Sequence, residues 1–206
     1  MYVPPANAAD EATARAHVAG IGAGELVTVG PDGRPDVTLV PVLWTGDRVR
    51  MHLARANPQG ARIAPDSPGL LVCTGPQAYV SPSWYATKAE HGRVVPTWNY
   101  TSVQLEGTVR VHDDPAWLLA LVSDLSDRHE AGRAAPWSVE DAPEAFARGQ
   151  LRGIVGVELT VTAVHAKAKL SQNRSEADRA GVVAGLAAEP GDASRAVGRL
   201  MQDGLR

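Results

Sequence analysis

Two polar stretches and one aromatic-rich segment hold the side chains of this sequence best suited to chemistry. Leu53-Ala54-Arg55-Ala56-Asn57-Pro58-Gln59 carries a guanidinium and two amides where a strand gives way to a helix start. Unpaired backbone N–H groups beside Arg55 would make a seat for a phosphate. Plain capping by Asn57, with Arg55 on the surface, accounts for the same residues. Lys169-Leu170-Ser171-Gln172-Asn173-Arg174 repeats the pattern ahead of another helix start, two cations flanking three hydrogen-bonding side chains. Such a stretch suits a heterocycle edge or a phosphate, and equally a solvated polar turn.

Between them, Tyr79, Trp84, Tyr85, Trp98 and Tyr100 crowd into one segment rich in Ser, Thr, Pro and Gly. Rigid aromatics beside polar groups on irregular backbone suit a flat ligand with hydrogen-bonding edges. They would serve as well as the bulky layer of a core, since Phe occurs once. His91, in Lys88-Ala89-Glu90-His91-Gly92-Arg93, is the one imidazole of this segment and is either a proton donor to a ligand or a solvated loop residue. The six histidines show no paired ligand spacing, so no metal site is expected. Cys73, among Leu70, Leu71 and Val72, reads as a buried thiol. No G-x-S-x-G, Walker or G-x-G-x-x-G motif occurs.

The elements that must position these groups follow from capping and periodicity. Asn7 predicts a helix from Ala8 to about Val18, stopped at Gly20-Ile21-Gly22. Six strands are expected: Glu25 to Val29, Pro35 to Trp44, Arg48 to Leu53, Leu70 to Thr74, Thr97 to Val111 and Gly153 to Val164, with Gly107 a bulge or bend. Asn57-Pro58 opens a short helix, Asp114-Pro115 an amphipathic one to about Arg128, and Ser138-x-x-Asp141 another. Ser175-x-x-Asp178 heads a helix from Ala177 to about Leu186. Gly191 onward reads as a weakly anchored last helix. Mostly antiparallel strands with helices inserted between them predict an α+β protein that is mainly β, a small barrel with helical decorations. The expected division is one domain over residues 1–190 and a helical tail over 191–206.

With 206 residues, 44% hydrophobic and 21% charged, the chain is long enough for one core without staples. A net charge of −3 lacks the positive field that a phosphate backbone requires, so no direct nucleic-acid contact is expected. One cysteine forms no internal disulfide, the start Met1-Tyr2-Val3-Pro4-Pro5 has no leader pattern, and Val37 to Trp44 is too short to span a bilayer. A cytoplasmic protein without a membrane role is expected.

Taken together, Met1 to Pro4, Leu53 to Gln59 (LARANPQ), Ala78 to Tyr85 (AYVSPSWY), Val95 to Tyr100 (VPTWNY) and Lys169 to Arg174 (KLSQNR) resemble the PaiB family of FMN-binding proteins. Arg128-His129-Glu130, Pro136-Trp137 and Glu176 to Gly181 extend the likeness in order along the chain. The resemblance implies a six-stranded antiparallel split β-barrel similar to pyridoxamine-phosphate oxidases, with FMN bound at the interface of a homodimer. It assigns Arg55, Asn57 and Gln59, helped by Lys88, to the phosphate. It places Thr97, Trp98 and Asn99 along the isoalloxazine ring, and brings Lys169, Ser171, Gln172 and Arg174 to the cofactor from the partner or as its closing wall.

The function this implies is flavin redox chemistry on a small molecule, with NAD(P)H or another reductant as electron source. A non-catalytic flavin-dependent negative transcriptional regulator acting through a partner is the alternative, as is a split barrel carrying deazaflavin or haem. The chain departs from its relatives at three places. Ala6-Asn7 replaces His-Phe, Gly22-Ala23-Gly24 replaces His-Pro-Phe, and Gly60 stands where a Trp often does. If these positions wall the open face of the cofactor, the pocket is roomier.

Overall fold

Alternate burial makes the first strands. In the computed structural model, which describes residues 1–203, β1 (Ala23–Val29) buries Gly24, Leu26 and Thr28 and turns the residues between them outward. β2 (Pro35–Pro41) pairs with it antiparallel, Leu26 opposite Thr38. β3 (Leu43–Thr45) and β4 (Arg48–Ala54) form a hairpin whose second strand buries Val49, Met51 and Leu53. Three long strands follow: β5 (Ser67–Val80), β6 (Thr97–His112) and β7 (Ile154–Lys169). The strand order is β2-β1-β5-β6-β7-β4-β3.

The mainly-β, antiparallel architecture with helices is as expected, but the sheet has seven strands, not six. Pro35 to Trp44 is divided at Val42. Pro41 has no N–H to give a ladder, and the Val42 N–H donates to the Gly22 carbonyl at 3.0 Å. The chain therefore leaves β1 and pairs with β4 as β3. The two end strands of the order are consecutive in sequence, joined through Val42 without a ladder between them, so the sheet is not closed by hydrogen bonds.

Helices fill the intervals. α1 (Glu11–Ile21) starts three residues later than expected because Asp10, not Asn7, accepts the Thr13 N–H, at 2.8 Å. Asn7 lies instead in a 3₁₀ turn, Pro5–Asn7. Gly22, at φ 74°, takes the left-handed conformation that ends the helix. α2 (Pro58–Arg62) and α3 (Thr87–His91) are single turns. α4 (Pro115–Glu130) is capped by Asp114 and buries Leu118, Leu121 and Leu125. α5 (Glu144–Leu151) precedes β7, while α6 (Glu176–Ala188) and α7 (Asp192–Asp203) end the described chain. Among the described residues, no helix is long and apolar enough to cross a membrane.

The chain divides into two compact units, Met1–His17 with Cys73–Gln104 and Val164–Arg206, and Val18–Val72 with Leu105–Ala163. In the first, Tyr85, Leu170, Val182, Leu186, Val197 and Met201 share a core. α7, expected to be weakly anchored, thus buries Val197 and Met201; residues 204–206 of the expected tail lie outside the described residues. In the second unit, Leu121 and Leu125 of α4 pack with Leu43. Gly107 marks a close approach rather than a bulge: a Cβ there would lie 1.9 Å from the Thr160 carbonyl oxygen. β7 outruns its expected end by five residues because Ala166 and Ala168 are buried, although Ala and Lys have little strand propensity of their own.

Candidate functional site

In the first unit the start of β6, the end of β7 and the turn after it surround a cavity of about 310 Å³, bordered by Thr97, Asn99, Lys169, Ser171, Asn173, Arg174 and Tyr85. Strand alternation puts Thr97 and Asn99 on one face, and Lys169 reaches them from β7. Its ammonium donates to Thr97 Oγ1. Asn99 is fully buried, and its amide donates to Ser171 Oγ at 3.0 Å and lies 3.3 Å from Met201 Sδ.

The turn itself is locked by its own side chains. Gln172 accepts the Leu170 N–H at 2.8 Å and donates to the Ala168 carbonyl, while the Arg174 N–H donates to the Ser171 carbonyl at 3.1 Å. Ser171 sits at φ 62°, a conformation that costs a non-glycine residue about 1–2 kcal/mol. Arg174 lies 4.7 Å from the centre of the Tyr85 ring, a cation–π distance. The Tyr85 ring is buried and its hydroxyl has no hydrogen-bond partner.

Behind the lining, a carboxylate ties α3 to α6. Asp178, buried, accepts the Thr87 N–H at 3.0 Å and the Thr87 hydroxyl, and the Thr87 N–H holds its carboxyl below the usual range. Trp84 approaches α6 over Gly185, where a Cβ would lie 2.2 Å from the indole. The lining carries two cations, amides and hydroxyls, and no carboxylate. That donor set fits an anion or the carbonyl edge of a heterocycle.

The remaining predicted residues lie outside this lining. Trp98 is half exposed, 6.4 Å from Tyr79 edge to face. Gln172 serves the turn, Lys88 is exposed and donates to Ser83 Oγ at 3.0 Å, and His91 is exposed with Nδ1 accepting the Arg93 N–H at 3.0 Å.

Arg55, Asn57 and Gln59 belong to the second unit. Asn57 caps α2 through the Gln59 N–H at 3.0 Å and donates to Thr38 Oγ1 at 2.9 Å. Gln59 is buried, its amide serving the Leu26 carbonyl at 3.0 Å and Thr28 Oγ1 at 3.1 Å. Arg55 borders a cavity of about 280 Å³ beside Asp113, Arg148 and Arg152. It forks onto Asp113 and donates to the carbonyls of Arg152, at 2.8 Å, and Ile154, at 2.9 Å. Its guanidinium holds the Asp113 carboxyl below the usual range.

A sequence profile of the family described as "Putative FMN-binding domain" matches residues 1–163. The chain belongs to that FMN-binding family. The PaiB resemblance read from the motifs is borne out, and FMN is the cofactor that family membership assigns. Protease synthase and sporulation protein PAI 2 of Bacillus subtilis is 30% identical over 189 residues, covering 89% of this chain and 87% of the relative. An uncharacterized protein of Emericella nidulans is 30% identical over 181 residues, 75% of this chain and 72% of its own. The solved structure of an FAD and heme binding protein from Mycobacterium smegmatis has a TM-score of 0.61, with 18% identity, 83% of this chain covered and 77% of the other. At that identity the likeness shows the fold alone.

For this FMN-binding protein, the sequence does not single out the polar role of Tyr85, whereas Asn173, one of the three hydrogen-bonding side chains of the KLSQNR turn, borders the cavity. Along the sequence Tyr85 is one aromatic among five; its unpartnered hydroxyl exists only in three dimensions. Of the three departures, Ala6-Asn7 borders the 310 Å³ cavity. Gly60 opens nothing: it is buried, and a Cβ there would lie 3.1 Å from Val155 Cγ2. Gly22 faces His129, 3.0 Å from a would-be Cβ.

Proposed function

We propose that the protein is an FMN-dependent oxidoreductase acting on a small molecule, with a nicotinamide donor as reductant. One observation carries the reading: a cavity whose lining offers donors and two cations, with the buried Tyr85 hydroxyl lacking a partner beside it. An orphaned buried hydroxyl is costly unless a ligand satisfies it, so these residues fit the polar end of the cofactor. When bound, FMN supplies the electron transfer.

The chain's residues do the rest. Lys169 and Arg174 bring positive charge to the group that enters, Thr97 holds Lys169 in place, and Asn99 keeps Ser171 and its turn in register. At about 310 Å³ the cavity is at the small end of ligand pockets and takes one end of FMN. In the proposed homodimer a second copy of the chain completes the site. Arg55, Asn57, Gln59 and Lys88 as the phosphate seat, and Trp98 and Gln172 beside the cofactor, stay in the proposal on the strength of the resemblance. So does a cytoplasmic place of action. Phosphate binding at Arg55 requires exchange of Asp113 as its partner.

The test is the visible spectrum of the FMN-loaded protein under anaerobic titration with NADH and NADPH. The flavin band is expected to bleach, and to return when a small-molecule acceptor is added. A tightly bound flavin that neither donor reduces would overturn the oxidoreductase. It would leave the non-catalytic regulator acting through a partner.

A further inference from the structure

In the second unit, β4, α4 and α5 enclose a cavity of about 250 Å³ that none of the residues assigned to the cofactor borders. Val122 of α4, Trp137, Phe146 and Ala147 of α5 and Ile154 wall it, and His52 of β4 lies among them. No charged side chain lines it. Ser126 spends its hydroxyl on the Val122 carbonyl at 2.8 Å. α5 buries none of its residues, so it covers this space rather than a packed core. The two large aromatics at the cavity remain uncovered, Trp137 at 46% and Phe146 at 58% exposure.

His52 is the one lining residue here with a buried polar atom that lacks a partner; the Gln150 side chain, also in the lining, is exposed. Its Nδ1 is buried and makes no hydrogen bond, and the ring has no partner among the described residues. A buried N–H without an acceptor costs more than a buried lone pair, so the proton belongs on Nε2. Burial also keeps the ring neutral, pulling its pKa below the ordinary histidine value. His52 thus offers one N–H donor in a largely apolar space, with the exposed Gln150 amide as the other polar side chain not committed to the backbone.

We propose that this cavity binds an uncharged aromatic compound of one or two rings carrying a carbonyl-type acceptor, to which the His52 Nε2–H donates a hydrogen bond. A charged ligand would be buried there without a counter-charge. Trp137 and Phe146 supply ring faces and edges. An apolar cavity of about 150 Å³ accommodates benzene, so this one admits a second ring. The inference is independent of the flavin reading, because its residues take no part in that site.

The experiment is calorimetric titration of the FMN-loaded, full-length protein with coumarin, which has a lactone carbonyl, and with naphthalene, which has none. Saturable coumarin binding is expected. His52→Phe should weaken it by about fivefold while changing naphthalene by less than about twofold, the difference one neutral hydrogen bond makes. His52→Gln, which keeps an N–H, should recover part of the loss and serves if the Phe variant fails to fold. Ala147→Trp, which fills the cavity, should abolish both titrations and leave the flavin spectrum and melting transition in place. No saturable coumarin heat, coumarin binding that survives Ala147→Trp, or equal loss of both ligands in the His52 variants would each overturn the proposal.

Discussion

The Asn99 amide donates to Ser171 Oγ at 3.0 Å, and the Ser171 hydroxyl returns a hydrogen bond to Asn99 Oδ1 at 3.2 Å. This reciprocal buried pair joins the start of β6 to the turn after β7, and it holds Ser171 at φ 62°. Asn99→Ala leaves that hydroxyl buried and unpaired, with an expected loss of about 1–3 kcal/mol in urea unfolding. At position 171, glycine relieves the backbone strain that alanine keeps. Ser171→Gly should therefore be more stable than Ser171→Ala by about 1 kcal/mol, although both lose the hydrogen bond.

Lys169 and Arg55 separate two parts of the cofactor assignment. Removing a charge-assisted contact weakens binding by about tenfold or more, so Lys169→Met should raise the FMN dissociation constant by that factor in a fluorescence titration. Lys169→Arg should retain part of the affinity. Arg55→Ala tests the phosphate seat. A similar loss of FMN, but not of riboflavin, is expected, because riboflavin lacks the phosphate. Equal effects on the two ligands would assign Arg55 to its carbonyl and Asp113 contacts alone.

Burial lowers the pKa of both His17 and His52. The unfolded chain therefore takes up these protons at higher pH than the folded protein, and stability rises with pH up to the unfolded value of about 6.5. Urea midpoints are expected to be flat above about pH 7.5 and to fall on acidification below about 6.5. Asp178, whose carboxyl is lowered, adds its own loss only nearer the ordinary carboxylate range. Replacing both histidines with Gln should flatten the profile between about pH 5 and 7. A fall that persists in the double variant would assign it to other groups.

Gly107 is a position where one methyl group decides the sheet. The Cβ of Gly107→Ala would meet the Thr160 carbonyl at 1.9 Å, a backbone atom that cannot rotate away. The expected cost is about 3 kcal/mol or more, with a lowered melting temperature. Gly33→Ala, where nothing lies within 4 Å, serves as the comparison for left-handed strain without a clash.

Composition, caps and alternation are local properties, and they were enough for the class of fold and most of its elements. Asp114-Pro115 starts α4, Ser175 caps α6, and Asn57 caps α2 because each cap is settled within four residues. The motifs LARANPQ, VPTWNY and KLSQNR also pointed to the FMN family, since each is a contiguous stretch of unusual residue types. What stayed hidden depends on partners distant in sequence. The split at Val42 needs the Gly22 carbonyl, the extension of β7 needs a neighbouring strand, and Asp10 overtook Asn7 because the chain before it bridges Ala8 to Lys167. Residue types alone determined that a binding protein with cationic, amide-rich turns was present. Tertiary structure decided that Lys169, Arg174 and Tyr85 share one cavity and that the buried Gln59 amide donates to Leu26 and Thr28, because hydrogen-bond satisfaction is settled only when distant segments meet.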